Sequence, residues 1–547
     1  MTATLSPISD LAADDEPSSR DLLARHALSL IPSILSQQDR DPHSPTYGCF
    51  DRRYWHDLAI DFPNGSAVEF VWPLALACSL PIPANPWWND PALKEWIEAG
   101  IRYAARSAHA DGSCDEHFPL EKSVSASAGS LLACVEAYSL LRMNDPEMLA
   151  FFTRRADWIA AQRKVRDVTQ LALIVLGLKK AGNLLDTERW EGPLASQLER
   201  LLFLQDEEGW FPENRGADPG GHTFILGLLA QLYQLAPSHE LGVALTRGLQ
   251  FAADLVHPDG SFGGEYGSLG GSCFFPHGFE IAGEWLPEAP TVNDQVLAAL
   301  DAGFAANSPD HFNAARRCWS WLLAWKYWKK KRPPAAARPT GRHYYKHAGL
   351  LIDRRDGCEL YVALNKGGVF MLWRDNKLVV SDTHLSVQVR RGAQFATAVA
   401  GHVGRSTVHL DGHAIEIRGK LAFVDSERMS TARLVFERIL MATLGRILPG
   451  LVRKRCARHI QKKKATAPFR FFRTLTWSNG KLQVRDELHT RKGWHIAHAV
   501  GLGALQAGSS DGAIGLFHAG QLHPWQDFTE QMHQLKPGAP LRIERAL

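Results

Sequence analysis

From about residue 20 to residue 328, apolar residues recur at the spacing of helix faces. The runs Leu131-Leu132-Ala133-Cys134-Val135 and Phe224-Ile225-Leu226-Gly227-Leu228-Leu229-Ala230 are examples. Beyond Arg342 the texture changes to short apolar or alternating runs such as Glu359-Leu360-Tyr361-Val362-Ala363-Leu364 and Val369-Phe370-Met371-Leu372-Trp373. Turn signals bound them at Asp356-Gly357, Lys366-Gly367-Gly368 and Asp411-Gly412. The first pattern predicts an all-α half and the second an antiparallel β half. Between them lies Lys329-Lys330-Lys331-Arg332-Pro333-Pro334, which cannot continue a helix. The predicted division is a disordered N-terminus over 1–19, a helical domain over 20–328, a linker over 329–341 and a β-sandwich over 342–547.

The helical half carries a weak repeat in its loops. Asp111-Gly112-Ser113-Cys114-Asp115-Glu116, Glu208-Gly209-Trp210-Phe211-Pro212-Glu213 and Asp259-Gly260-Ser261-Phe262-Gly263-Gly264-Glu265 each put a turn first and a carboxylate last. Their separations fit helical hairpins of about 50 residues with one step skipped, as a closed ring of helix pairs would give. Equivalent loops of a toroid emerge on one face, so their acids and aromatics would converge. Ordinary turn chemistry explains the same residues without a cleft.

Composition narrows the partners. A formal charge of +3 over 547 residues does not mark the whole chain as a nucleic-acid binder, so any basic surface must be local. One such stretch follows a helical pattern over Leu434–Leu448. Arg453, Lys454, Arg455, Arg458 and Lys462 to Lys464 stand there with no acid between 451 and 467. The insert near 431–467 fits an interfacial helix on an anionic membrane surface, or a hairpin whose basic face is only solvated. The acidic start (Asp10, Asp14, Asp15, Glu16) is unlike a secretory signal, and no apolar run approaches the roughly 18 to 20 residues that span a bilayer. The eight cysteines form no CxxC pair. The expectation is a cytoplasmic protein with reduced thiols, peripheral at the inner membrane if the insert binds lipid, with no cofactor, no metal and no nucleic-acid partner.

The loop Asp-Gly-Ser-Phe-Gly-Gly-Glu-Tyr-Gly at 259–267 and Phe275-Pro276-His277-Gly278-Phe279-Glu280 resemble the heparinase II/III-like proteins, a group related to polysaccharide lyases. So do Tyr47-Gly48-Cys49-Phe50-Asp51-Arg52-Arg53-Tyr54-Trp55-His56 and the order of the two halves. The resemblance implies an α+β multidomain fold, an N-terminal (α/α) toroid followed by a C-terminal antiparallel β-sandwich. It also implies an acidic polysaccharide or oligosaccharide as partner and β-elimination on uronic acids as the reaction. Such a reaction needs the substrate carboxylate neutralised and a proton moved from C5.

Tyr266, His222 and His277 are the candidates for proton transfer, with Asn214 or Arg215 on the carboxylate. Glu116, His117, Trp210, Glu213, Glu265, Glu280 and His343 are the candidates for substrate binding. Each is equally a residue type found as a hydrogen-bonded strut at a helix end. The helix that carries a carboxylate-binding Asn in many toroid lyases reads Asp167-Val168-Thr169-Gln170 here. Either Gln170 or Asn214 substitutes, or elimination is lost. Two other readings stay open: a glycoside hydrolase using two loop carboxylates such as Glu116 and Glu265, and a non-catalytic protein that binds the polysaccharide or its assembly machinery.

Overall fold

A computed structural model describes residues 18–213, 216–268, 270, 273–301, 305–306, 311–335, 337–391, 394–400, 406–424, parts of 431–443, 466–491, 496–501, 516–517 and 526–547. The N-terminal segment to residue 17 and the basic stretch from 451 to 465 lie outside the described residues, and with them the expectations placed there.

Twelve helices form six hairpins. The inner members are α2 (Val71–Ser79), α4 (Val124–Leu140), α6 (Val168–Leu185), α8 (Pro219–Leu235), α10 (His277–Ala282) and α12 (His311–Tyr327). Each packs on the next, and α12 packs back on α2, so the ring is closed. The outer members are α1 (Ser19–Leu28), α3 (Pro91–Ser107), α5 (Pro146–Ala160), α7 (Glu191–Phe203), α9 (His239–Ala253) and α11 (Ala289–Asp301), with α1 completing the hairpin of α12. The sequence separates the two classes. Inner helix α2 is apolar on every side and buries each residue from Val71 to Cys78, whereas the outer helix α3 is amphipathic and buries one stripe through Leu93, Ile97, Ile101 and Ala104.

Starts are written in the caps. Asp90, Ser123, Asp145, Asp167, Asp218 and Ser238 each accept a backbone N–H of the first turn, and Pro91, Pro146 and Pro219 occupy first-turn positions that donate nothing. Deep in the ring, Trp72 of α2 stacks on Trp319 of α12 at 4.1 Å, and Phe224 of α8 leans on Trp319.

The loop repeat is real in three dimensions. Gly112, Gly209 and Gly260 all take positive φ, and each donates its N–H three residues back, to His109, Asp206 and His257. A Cβ at any of them would strike the backbone of the next outer helix, at Arg155, Arg247 or Gln295. The turn is therefore one structural unit used three times, and only glycine fits it.

The C-terminal half is two antiparallel sheets. The first has β1 (Gly341–Tyr345), β2 (Leu350–Arg355), β3 (Cys358–Ala363), β4 (Val369–Arg374) and β5 (Lys377–Asp382) in sequential order. The second is made of β6 (Ser386–Arg391), β7 (Gln394–Val399), β8 (Thr407–Leu410), β9 (Ala414–Val424), β10 (Thr466–Ser478), β11 (Lys481–Thr490), β12 (Ile496–Gly501), β13 (Gln526–Asp527) and β14 (Leu541–Ala546). It is ordered β13-β12-β6-β7-β9-β10-β11-β14, with β8 added on β9.

Strands β2 to β4 are covered on both faces. Leu351, Leu360, Val362, Phe370 and Leu372 pack toward the second sheet, while Leu350, Ile352, Tyr361, Ala363, Val369 and Trp373 join the core of the toroid. That double burial is why these strands read as continuous apolar runs rather than alternating ones. A buried ion network pins the two sheets: Arg473 of β10 meets Asp486 of β11 at 2.6 Å and Asp382 of β5 at 3.1 Å, and Arg545 of β14 reaches both acids. The arginines hold the Asp486 carboxyl well below the usual carboxylate range.

Candidate functional site

The inner helices run the same way, so the capped N-termini of α4, α6 and α8 share one rim of the toroid. The three repeated loops lie along it. Partial positive charge at helix N-termini favours an anion there. The sandwich covers part of this rim. Trp373 of β4 donates to Asp259 at 2.7 Å, Tyr345 of β1 to Asp254 at 2.6 Å, and the Lys366 ammonium to the carbonyls of Glu265 and Gly267 at 2.6 and 2.7 Å.

Glu213 stands at the centre of the rim. It ends the short strand Pro212–Glu213, which pairs with Gly216–Ala217. That pairing folds its side chain over the first turn of α8, so close that a Cβ on Gly221 would overlap its Oε2. Oε1 accepts from the Thr169 hydroxyl of α6 at 3.3 Å, and Oε2 is shut from solvent with no protein partner. Burial raises its pKa, the neighbouring carboxylates Asp218 and Asp167 raise it further, and Thr169 and Arg316 only partly oppose them. The result is a carboxyl pushed up to about 8, protonated at neutral pH. Arg316 projects from α12 over the ring of Phe224, and a bidentate pair with the buried Glu69 holds it at 2.7 and 2.8 Å. A carboxyl and a hydroxyl thus meet at the N-termini of α6 and α8, within the electrostatic reach of the Arg316 guanidinium.

The other sequence candidates are dispersed. Glu116 bridges Ser66 and Ser123, the cap of α4, at 3.0 and 2.7 Å, and His117 beside it is exposed. Glu265 lies in the loop held by Lys366. Asn214 and Arg215 fall outside the described residues.

Four further candidates are buried among the helices. His222 donates from Nε2 to the Gly248 carbonyl at 2.9 Å and sits between Phe211 and Phe251, so it ties α8 to α9; burial lowers its pKa to about 4. His277 packs into a notch at Gly227, with Nδ1 at 2.6 Å from the Ser320 hydroxyl, and burial lowers its pKa to about 3. Trp210 is buried and donates to Glu208. Glu280 is enclosed by Arg332 and Asn293. His222 Nδ1 and His277 Nε2 are shut from solvent and have no protein partner. His343 is exposed on β1 against Tyr345.

Tyr266 is 5% exposed and stacks on Tyr361 of β3. Its hydroxyl lies 2.9 Å from His257 Nε2. His257 Nδ1 is 2.8 Å from the Ser261 hydroxyl, which donates to Asp259 at 2.6 Å. With Ser261 donating onward, His257 carries its proton on Nδ1 and accepts from Tyr266 on Nε2. Burial raises the phenol and brings the imidazole down to about 3, so both are neutral.

Residues Asp206, Glu208 and His347 bring ligand-type atoms within 4.8 Å of one another. Glu208 gives its oxygens to the N–H groups of His347 and Ala348 and to Trp210, and His347 meets Asp206 at 3.0 Å, so the group clamps the sandwich to the toroid.

Sequence reasoning missed Arg316, Glu69, His257 and Lys366. Arg316 and Glu69 sit inside helical runs and meet across 247 positions. His257 carried one signal, its place in the repeated turn, equivalent to His109 and Asp206.

No family model matches the chain, and no curated protein matches its sequence. Solved structures match its fold. Chondroitin AC lyase of Streptomyces coelicolor A3, solved with chondroitin sulphate, superposes at TM-score 0.52 and 12% identity over 90% of this chain and 69% of that one. A Paenibacillus xanthan lyase superposes at TM-score 0.51 and 10% identity, over 89% of this chain and 47% of its own. Heparinase III superposes less well, at TM-score 0.44 over 75% of this chain. The chain has the toroid-and-sandwich fold of polysaccharide lyases, in the order that the sequence implied.

Proposed function

We propose that the protein binds a uronic-acid-containing polysaccharide or oligosaccharide at the rim of the toroid and cleaves it by β-elimination. The observation that carries this is the placement of Glu213: a carboxyl folded over the first turn of α8 and against Thr169 of α6, with Oε2 left without a protein partner, where burial and the neighbouring acids favour its neutral form. A neutral acid donates a hydrogen bond to a substrate carboxylate that an ionised one would repel. Together with the guanidinium it withdraws charge from C5, which makes the adjacent proton removable. The elimination then transfers the C5 proton to the protein, breaks the C4–O bond and leaves a C4–C5 double bond, while the departing oxygen takes a proton. Tyr266, linked through His257 and Ser261 to Asp259, is our candidate for the proton transfer.

A second reading, binding without cleavage, is favoured by one observation: the Tyr266 hydroxyl is enclosed by His257 and Tyr361. Incubation with chondroitin sulphate and with polygalacturonate separates the two. Ultraviolet absorbance of an unsaturated uronate, lost in Glu213→Ala and in Tyr266→Phe, supports elimination. Retention of either polymer that Glu213→Ala weakens, without any unsaturated product, assigns the rim to binding alone.

A further inference from the structure

The second sheet turns one face to the core and the other away from the toroid. On the outward face β9, β10 and β11 form a groove of about 180 Å³ lined by Glu416, Arg418, Phe472, Thr474, Arg485 and Glu487. Register puts these side chains in rows: Arg418 lies opposite Phe472, Glu416 opposite Thr474, and Phe472 and Thr474 opposite Glu487 and Arg485. The volume is below the roughly 300 Å³ of a drug-sized pocket, so it has room for about one sugar ring.

We propose that this groove is a second binding site, taking a sugar unit of an anionic polysaccharide outside the toroid; the substrate class rests on the reading given above for the rim. Its chemistry is that of carbohydrate recognition. Phe472 is a partly exposed aromatic surface whose position is fixed by Arg418 on one side, at 5.6 Å, and His489 on the other, at 4.9 Å. It offers the C–H face of a pyranose an apolar contact. Thr474 and the two glutamates offer partners for hydroxyls. Arg418 and Arg485 keep 59% and 49% of their side chains exposed.

The lining of the groove is balanced, with Arg418 paired to Glu416 at 3.0 Å, and the basic residues that flank it tip the surface toward an anion. Arg485 makes only long contacts with Glu487 and Glu544, at 3.5 and 3.3 Å, and Glu487 is shared with Arg542 at 3.1 Å. Lys420 and Arg470 continue the same face and are exposed. Acids here are partly neutralised by basic neighbours, which leaves a net positive surface for carboxylate or sulfate groups. Placed on a different sheet from the one that packs on the rim, the groove would hold a long chain at a second point and raise its effective concentration there.

The test is affinity electrophoresis of the full-length protein through gels carrying chondroitin sulphate, polygalacturonate or neutral dextran. Retardation by the two anionic polymers but not by dextran, weakening as salt is raised, is expected. The double variant Arg418→Ala/Arg485→Ala and, separately, Phe472→Ala should each raise the apparent Kd by about tenfold, with circular dichroism unchanged. Equal retardation by dextran, wild-type affinity in the double variant, or no retardation of the wild-type chain overturns the proposal. A wild-type chain that makes no unsaturated product yet depends on Arg418 and Arg485 for retardation sinks the elimination reading and leaves the groove standing. A chain that cleaves while the variants bind like wild type does the reverse.

Discussion

At the scale of single residues, the rim turns on how one carboxyl is ionised. Glu213 has its folded pKa raised to about 8 from an ordinary value of 4.5. The stability tied to the neutral acid is therefore complete below about pH 4.5 and is lost as pH rises toward and through 8. Glu213→Gln keeps the shape and removes the titration. We expect its Tm to match the wild type near pH 4 and to exceed it above pH 8, read by thermal melts across that range. A Tm difference that does not change with pH would show that Glu213 is not a buried neutral acid.

Tyr266 poses a different question, since its hydroxyl donates within a closed relay. Tyr266→Phe leaves His257 Nε2 without its donor and should cost about 1 to 3 kcal/mol in denaturant melts. A loss of product with stability unchanged would place the hydroxyl in the reaction and not in the packing. The sequence pointed to Glu213 and Tyr266 because both stand in the repeated loops. It could not point to Arg316 or Glu69, whose meaning arises only when α12 closes the ring against the segment before α2.

At the scale of elements, the signals that survived best were the local ones. Caps such as Asp90, Asp167 and Asp218, prolines at first-turn positions and the Asp-Gly or Glu-Gly turns each act within a few residues, so a linear reading finds them. The turn also resolves a rivalry visible in the sequence: Trp210 occupies the position of Ser113 and Ser261, and its indole serves the clamp on Glu208 instead of a cleft. Long-range polar contacts were not legible. Arg473 looks like any strand arginine until β10 lies beside β11 and against β5, where it meets two buried acids. Removing it alone strands Asp382 and Asp486, so Arg473→Met should cost about 3 to 5 kcal/mol in urea melts. A cost below about 1 kcal/mol would mean that water or Arg545 compensates for the missing charge.

At the scale of the whole molecule, the order of a helical half and a β half was legible from the change in apolar period. The way the halves meet was not. Strands β2 to β4 turn neither face to water: Leu351, Leu360 and Phe370 serve the sandwich while Ile352, Tyr361 and Trp373 serve the toroid. The linker is fastened as well. Arg332 is held by Glu280 and Asp294, and Arg338 by Glu359 and the carbonyls of Val256 and His257. Lys329, Lys330 and Lys331 are exposed by contrast. Limited digestion with proteinase K, which does not need a basic residue, should therefore cut among these lysines before it cuts beside Arg332 or Arg338. Because Trp373, Tyr345, Lys366 and the Glu208 clamp hold the sheet to the rim, the two pieces should still elute together on size exclusion. Denaturant should then separate a mainly helical piece from a β-rich one, distinguishable by circular dichroism. Pieces that part without denaturant, or first cuts at Arg332, would show that the sandwich and the linker are not seated on the toroid as described.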